Sequence, residues 1–193
     1  MIDTKLLRQK ILDLAIRGKL VPQDPTDEPA SELLKKIKAE KDALVKAGKI
    51  KKDKHESHIF KGDDNRYYET IDGKTADITD EIPFDLPDGW AWSRLGVLCQ
   101  KIGAGKTPLG GKSQYVESGI PLIREQNVHN NGLCYDGMAF ITSETNHSMK
   151  GSQVFPKDML MNITGGSIGR TALVDDSFLI GNVNQHVLTH KSK

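Results

Sequence analysis

The chain has 193 residues, which suits one or two small domains. Hydrophobic residues make up 37% and charged residues 27%, the balance of a soluble protein with a modest core, and no apolar run approaches the roughly 20 residues that span a bilayer. The net charge of +1 hides an asymmetry: residues 1–54 hold 14 Lys/Arg against 9 Asp/Glu, residues 55–83 hold 3 against 8, and residues 84–193 hold 10 against 9, so whole-chain charge says little about a nucleic-acid partner.

Residues 2–20, IDTKLLRQKILDLAIRGKL, are expected to form an amphipathic helix. Asp3, Lys5, Arg8, Lys10 and Asp13 interrupt its apolar positions, which excludes a signal peptide. Asp3 or Thr4 can cap it, Leu7, Ile11 and Leu14 form its apolar stripe, and Gly18 supplies a stop. VPQDPTDEPA follows, with three prolines in ten residues, and cannot continue a helix. A second helix is expected from about Pro29 to Ala47, ended by Gly48. Its apolar seam holds Leu33, Ile37 and Leu44, and Glu32–Lys36 is a favourable pair on its surface. These two seams need another surface to bury against.

Residues 49–82 are polar and charged and are expected to be a long linker. From residue 83 the composition becomes that of a compact domain. GIPLIREQNV, GMAFIT, DMLMNIT, IGRTALV and NQHVLTH are strand-length runs separated by Gly, Asn and Asp turns. The expected fold class is mixed α/β, α+β-like: residues 1–48 as a helix–proline-rich link–helix segment, 49–82 as linker, and 83–193 as a strand-rich α/β domain. Cys99 and Cys134 have no C-x-x-C spacing, which fits structural thiols in a reducing cytoplasm.

The stretch KIGAGKTPLGGKSQY at 101–115 looks like a phosphate cradle, but its spacing fails. G-x-x-x-x-G-K-S/T needs a glycine where Gln100 or Lys106 stands, and Pro108 removes a backbone donor from the next turn. TGGSIGR at 164–170 does not match G-x-G-x-x-G and reads as a tight turn. His186 and His190 lie on a strand-like run with no third ligand nearby, and no G-x-S-x-G elbow or Asn/Asp-Pro-Pro-aromatic motif occurs. No catalytic group and no metal site stand out.

What does stand out is a concentration of side chains that can read base edges. REQNVHNN offers Arg124, Gln126, Asn127, His129, Asn130 and Asn131, and NVNQHV offers Asn182, Asn184, Gln185 and His186, with Arg124, Gln126, Asn127 and His129, then Asn184 and Gln185, the expected base readers; Arg matches guanine and Asn or Gln matches adenine in the major groove. Asn-rich turns are also ordinary structure, so these residue types leave both readings open. Lys106, Thr107, Lys112 and Arg170 lie on glycine-rich loops that can approach a phosphate backbone closely.

The order of segments adds a resemblance. LRQKILDLAIRGKLVPQDPTDEPASELLKKIKAEKDALVKAGKIKK, a polar stretch, LPDGWAWSRLG, the G-K-T-P loop, GIPLIREQNV, FPKDMLMNITGGSIGR and VNQHV together resemble the DNA specificity subunits of type I restriction–modification systems, from their start through their first target-recognition domain. The resemblance implies a non-catalytic subunit that recognises half of a bipartite site in double-stranded DNA. Helices between two such domains pair as a coiled coil and hold modification (adenine methyltransferase) subunits, and a restriction (endonuclease and translocase) subunit completes the assembly. It implies no cofactor in this chain: S-adenosylmethionine, ATP and Mg²⁺ belong to the partner subunits. The chain departs from the family pattern by stopping at Lys193, before the recognition domain is expected to be complete. The seams at Leu7/Ile11/Leu14 and Leu33/Ile37/Leu44 would then invite a homodimer. The competing readings are a non-catalytic helical adaptor that binds protein partners only and, further off, a nucleotide-dependent enzyme. No membrane association is expected.

Overall fold

The structure, a computed structural model, describes residues 3–191. Ile2, in the expected first helix, and Ser192 and Lys193, in the expected C-terminal domain, lie outside the described residues. The chain divides into two compact units, with the division between Leu98 and Cys99.

The first unit opens with α1, Thr4–Ile16, shorter than expected. Asp3 caps it, its Oδ1 accepting from the backbone N–H of Lys5 at 2.9 Å and Leu6 at 3.1 Å. None of its residues is buried; Leu6, Leu7, Ile11, Leu12 and Ile16 are exposed, and Leu14 is half-buried. Gly18 adopts φ +61°, and a Cβ there would lie 2.6 Å from Pro87 Cγ, so the stop also allows a close approach that a side chain would prevent. The proline-rich link is tied down next to it. Trp90 Nε1 donates to Gln23 Oε1 at 2.7 Å, and Ala30 N donates to Gly89 O at 2.7 Å. α2, Ala30–Lys46, keeps Leu33 exposed and Ile37 and Leu44 half-buried. The expected Glu32–Lys36 pair is not made: Glu32 takes Lys35 at 2.7 Å, and Lys36 reaches back to Glu28 ahead of the helix.

The expected linker differs most. Within 49–82 the chain forms an antiparallel sheet of β1 (Ser57–Lys61), β2 (Tyr67–Ile71) and β3 (Lys74–Asp77), with β2 in the centre. Asp72 at φ +49° and Gly73 at φ +81° make the β2–β3 turn, the Asp-Gly pairing that two-residue hairpins prefer. Alternation buries Tyr67 and Glu69 on one face of β2, while Lys61, Lys74 and Asp77 on the flanking strands are exposed. Residues 83–98 also lie in this first unit, so the compact second unit starts later than residue 83. Aromatic packing explains why: the Phe84 and Trp92 rings pack at a tilt of 56° with centroids 5.2 Å apart, and the Arg17 guanidinium lies 5.0 Å from the Phe84 centroid. A short helix, α3 (Leu95–Leu98), ends the unit.

The second unit is strand-rich. It runs β4 (Lys101–Ala104), β5 (Ile120–Ile123), β6 (Val128–His129), β7 (Gly132–Leu133), β8 (Ala139–Ile141), helix α4 (Ser143–Ser148), β9 (Gln153–Val154), β10 (Met159–Asn162), β11 (Thr171–Leu173), β12 (Gly181–Val183) and β13 (Val187–Lys191). One sheet has the order β11-β10-β13-β4, antiparallel throughout; the other has the order β8-β5-β12-β9 with β5 and β12 parallel. β6 and β7 form a separate hairpin. Successive residues of β5 face opposite sides, so Ile123 joins a core with Val128, Val154, Leu160, Val183 and Val187, while Leu122 joins Ala139, Ile141 and Met149. The chain is thus a mixed helix-and-strand protein, and TGGSIGR is a turn between the paired strands β10 and β11.

An ion pair between buried Glu69 and exposed Arg94 makes the first unit sensitive to acid. Arg94 clamps Glu69, with Nε 3.0 Å from Oε1 and Nη2 2.5 Å from Oε2, and its Nη2 also reaches Glu81 at 2.8 Å. The Arg94 guanidinium, opposed by burial and helped by the Ser57 hydroxyl, holds the Glu69 carboxyl below the usual carboxylate range. A depressed carboxyl pKa contributes stability above its unfolded value of about 4.3, lost as pH falls through the folded value. Denaturation at pH 7 should show Arg94→Ala costing about 1–3 kcal/mol, because Glu69 is left buried without its cation. Repeating the measurement near pH 3 should show wild type losing more stability than the variant; equal losses would mean the pair is not what responds to acid.

Candidate nucleic-acid interface

The site is organised by the turn between β12 and β13. All three residues of β12 are buried, and Asn184 N donates to Ile123 O at 3.1 Å, extending the pairing toward β5. Asn184 then closes the turn with its own side chain. Its Oδ1 accepts from His186 N at 3.1 Å and its Nδ2 donates to Glu125 Oε2 at 2.9 Å. This bond is the first cause that lowers the Glu125 carboxyl below the usual carboxylate range. With Asn184 turned inward, Gln185 is exposed and His186 half-exposed.

Two loops are fastened to those two side chains. On one side Gly105 N donates to Val187 O at 3.0 Å and Lys106 N to Val183 O at 3.1 Å. A Cβ on Gly105 would sit 2.1 Å from Val183 O and 2.3 Å from Asn184 O, so only glycine allows this approach. Thr107 Oγ1 then donates to Gln185 Oε1. On the other side Ile163 N donates to His186 O at 3.0 Å, and Thr164 Oγ1 lies 2.6 Å from His186 Nδ1. Gln185 Nε2 and His186 Nε2 are 2.9 Å apart, which links both loops into one polar rim.

Asn162 anchors the third piece. It is fully buried, and its Nδ2 donates to Glu125 O at 2.8 Å and to Ser167 Oγ at 2.9 Å. Residues 124–126 and 163–170 are therefore drawn to the same place. Gly165 at φ +74° and Gly169 at φ +83° shape the β10–β11 turn, and Arg170 is exposed at its end. Asn130 Oδ1 accepts from Thr171 N at 3.0 Å and ties the β6–β7 hairpin beside it.

The structure thus brings Lys106, Thr107, Gln185 and Arg170 onto loops that share this turn, with Lys106, Thr107, Gln185 and Arg170 all exposed. Gln126 is exposed, and His129 Nε2 lies 3.0 Å from Gln126 O. Arg124 is half-buried; its Nη2 donates to Gly137 O at 2.5 Å, and its guanidinium lies 5.9 Å from the Tyr115 ring centroid. Lys112 is exposed on a short 3₁₀ turn whose following residue pairs include Tyr115 N to Lys112 O at 3.1 Å, a link toward Arg124 and not toward Gln185.

Two of the expected base readers are corrected. Asn127 is fully buried: its Oδ1 accepts from Arg124 N at 3.1 Å, and its Nδ2 donates to Cys134 O at 3.0 Å and Asp136 O at 3.4 Å. Asn184 is buried and occupied as described. Both carboxamides are spent on backbone and Glu125, so neither has an edge to offer a base. Glu125, Asn162 and Thr164, which build the rim with His186, were not among the expected site residues; the only sequence signal for them was their closeness to the glycine-rich and Asn-rich runs. The described residues contain no group of three His, Cys, Asp or Glu placed to hold a metal ion, and Cys99 Sγ lies 4.0 Å from His190 Nδ1 inside the unit. No helix among the described residues is long and apolar enough to cross a membrane.

Asn127→Ala should therefore lower stability by about 1–3 kcal/mol, whereas Gln126→Ala should change it by no more than about 0.5 kcal/mol. Urea denaturation of both variants measures this, and an Asn127→Ala protein as stable as wild type would contradict the bonding role assigned to that carboxamide.

No family model matches the chain. Over 91 residues, 47% of its length, it is 54% identical to the type I restriction enzyme EcoAI specificity subunit of Escherichia coli, and the match spans 12% of that protein. Over 94 residues, 49% of its length, it is 54% identical to the EcoEI specificity subunit of the same organism, spanning 13% of it. A chain from a solved type I R-M system overlays loosely, with a TM-score of 0.44 and 15% identity over 98% of this chain and 36% of that one, a likeness too weak to carry weight. Over just under half of its length the chain is thus similar to the specificity subunits of type I restriction enzymes, and the match spans about an eighth of their length.

Proposed function

We propose that this chain reads duplex DNA for a type I restriction–modification complex and performs no chemistry of its own. The observation that carries this reading is the 54% identity to two specificity subunits over nearly half the chain. The rim around Gln185 and His186 supports it with suitable chemistry: exposed cations and amides held on rigid turns by a buried sheet.

In this reading Lys106, Thr107, Lys112 and Arg170 contact phosphates, while Arg124, Gln126, His129 and Gln185 face base edges of one half of a bipartite target. The exposed apolar residues of α1 and α2, Leu7, Ile11 and Leu33 with half-buried Leu14, Ile37 and Leu44, dock helices of the modification subunits or of a second copy of the chain. A restriction subunit joins the same complex in the cytoplasm. S-adenosylmethionine, ATP and Mg²⁺ enter with those partner subunits. The exposed helix faces also keep a protein-only adaptor in play, and the two readings part at DNA.

Binding of the chain to a mixed-sequence duplex should fall steeply with salt. Lys106→Ala and Arg170→Ala should weaken all duplexes alike and each flatten the slope of log K against log salt by about 0.9, whereas Gln185→Ala should relax preference at one position with the slope unchanged. No salt-dependent duplex binding, with modification subunits present, would leave the adaptor. Leu7→Asp combined with Ile11→Asp should abolish co-purification with the modification subunit and leave the salt slope intact.

A further inference from the structure

Two apolar side chains sit where a DNA-reading rim has no structural use for them. Leu109 is 98% exposed and Ile168 is 67% exposed. Neither contributes to either core of its unit. Both are held on glycine-shaped turns. Gly110 at φ +98° and Gly111 at φ +60° follow Leu109, and Gly111 N donates to Pro108 O at 2.8 Å. Gly165 and Gly169 bracket Ile168, whose N donates to Gly165 O at 3.3 Å.

The anchors of these turns are neighbours. Thr107, two residues before Leu109, bonds Gln185, and Thr164, four residues before Ile168, lies against His186. Gln185 and His186 are adjacent in the chain and their side chains meet at 2.9 Å. One polar seat therefore carries two apolar tips, each on a loop fixed by backbone hydrogen bonds. Water gains nothing from this arrangement, and the fold gains nothing either. A stack of bases does have a use for it, because an apolar side chain pushed between base pairs replaces lost stacking with apolar contact and lets the duplex kink.

We propose that Leu109 and Ile168 are wedges that enter the base stack and unwind the duplex where the rim binds. The proposal rests on the reading of this unit as a duplex binder, and it adds a deformation step to that reading. Specificity would then come partly from how easily a given step opens, at positions no polar side chain touches.

The test uses the full chain on relaxed closed-circular plasmid DNA with a topoisomerase, followed by protein removal and gel separation of topoisomers. An unwinding wedge leaves the recovered plasmid negatively supercoiled in proportion to the protein bound. Wild type should shift the distribution. Leu109→Ser with Ile168→Ser should bind with the same salt slope and shift it by less than a third as much at equal occupancy. Lys106→Ala should need more protein to reach that occupancy and should then shift it as wild type does. Both wedge positions are exposed, so the double variant should keep wild-type thermal stability, which is measured alongside. Binding by wild type with no topoisomer shift, or an equal shift by the double variant, overturns the wedges and leaves duplex binding standing. Absence of plasmid binding by wild type overturns both.

Discussion

Everything proposed for the second unit depends on one close approach: the backbone of Gly105 lying against the carbonyls of Val183 and Asn184. At that distance β4 continues into a loop that shares hydrogen bonds with the β12–β13 turn instead of drifting away from it. The lysine and threonine that follow are then delivered beside Gln185. A methyl group at position 105 would force the loop out, separate Thr107 from Gln185 and break the rim into two unrelated surfaces. The glycine looks like part of a phosphate cradle, but its work is steric and it acts on the protein's own backbone.

The same economy of backbone contacts explains why buried amides surround the site. Asn127 and Asn184 spend both ends of their carboxamides inside, on a hairpin and on a turn, and Asn162 spends its amide nitrogen on two loops. Irregular backbone near a core leaves N–H and C=O groups that need partners, and asparagine supplies both kinds from one short side chain. The exposed readers stand on this hidden layer. Glu125 belongs to it too: its carboxylate is held by Asn184, an arrangement that keeps a negative charge beside a surface proposed to meet phosphates while satisfying it internally.

Much of the second unit was legible in the residues. Runs such as GIPLIREQNV and DMLMNIT are apolar enough and bounded well enough by turns to be strands, and the structure has β5 and β10 there. Gly18 and Gly48 were legible as helix stops and take φ +61° and +67°. The sheet at 57–77 was hidden because its strands are short and charged residues crowd its turns, Asp63, Asp64, Arg66 and Asp72, although the Asp72-Gly73 pair was a turn signal available in the sequence. The roles of the asparagines were not legible at all, since a carboxamide that reads adenine and one that closes a turn are the same letter. Only burial separates Asn127 from Gln126.

The central claim is that the loops at 105–112 and 163–170 and the turn at Gln185–His186 act together as one surface against duplex DNA. Hydrogen–deuterium exchange of the chain, with and without a mixed-sequence duplex at low salt, reads this directly. The account predicts that DNA slows exchange in those three segments together and leaves the sheet at 57–77 unchanged. Slowing confined to the first unit, with the three segments exchanging as they do without DNA, would contradict it.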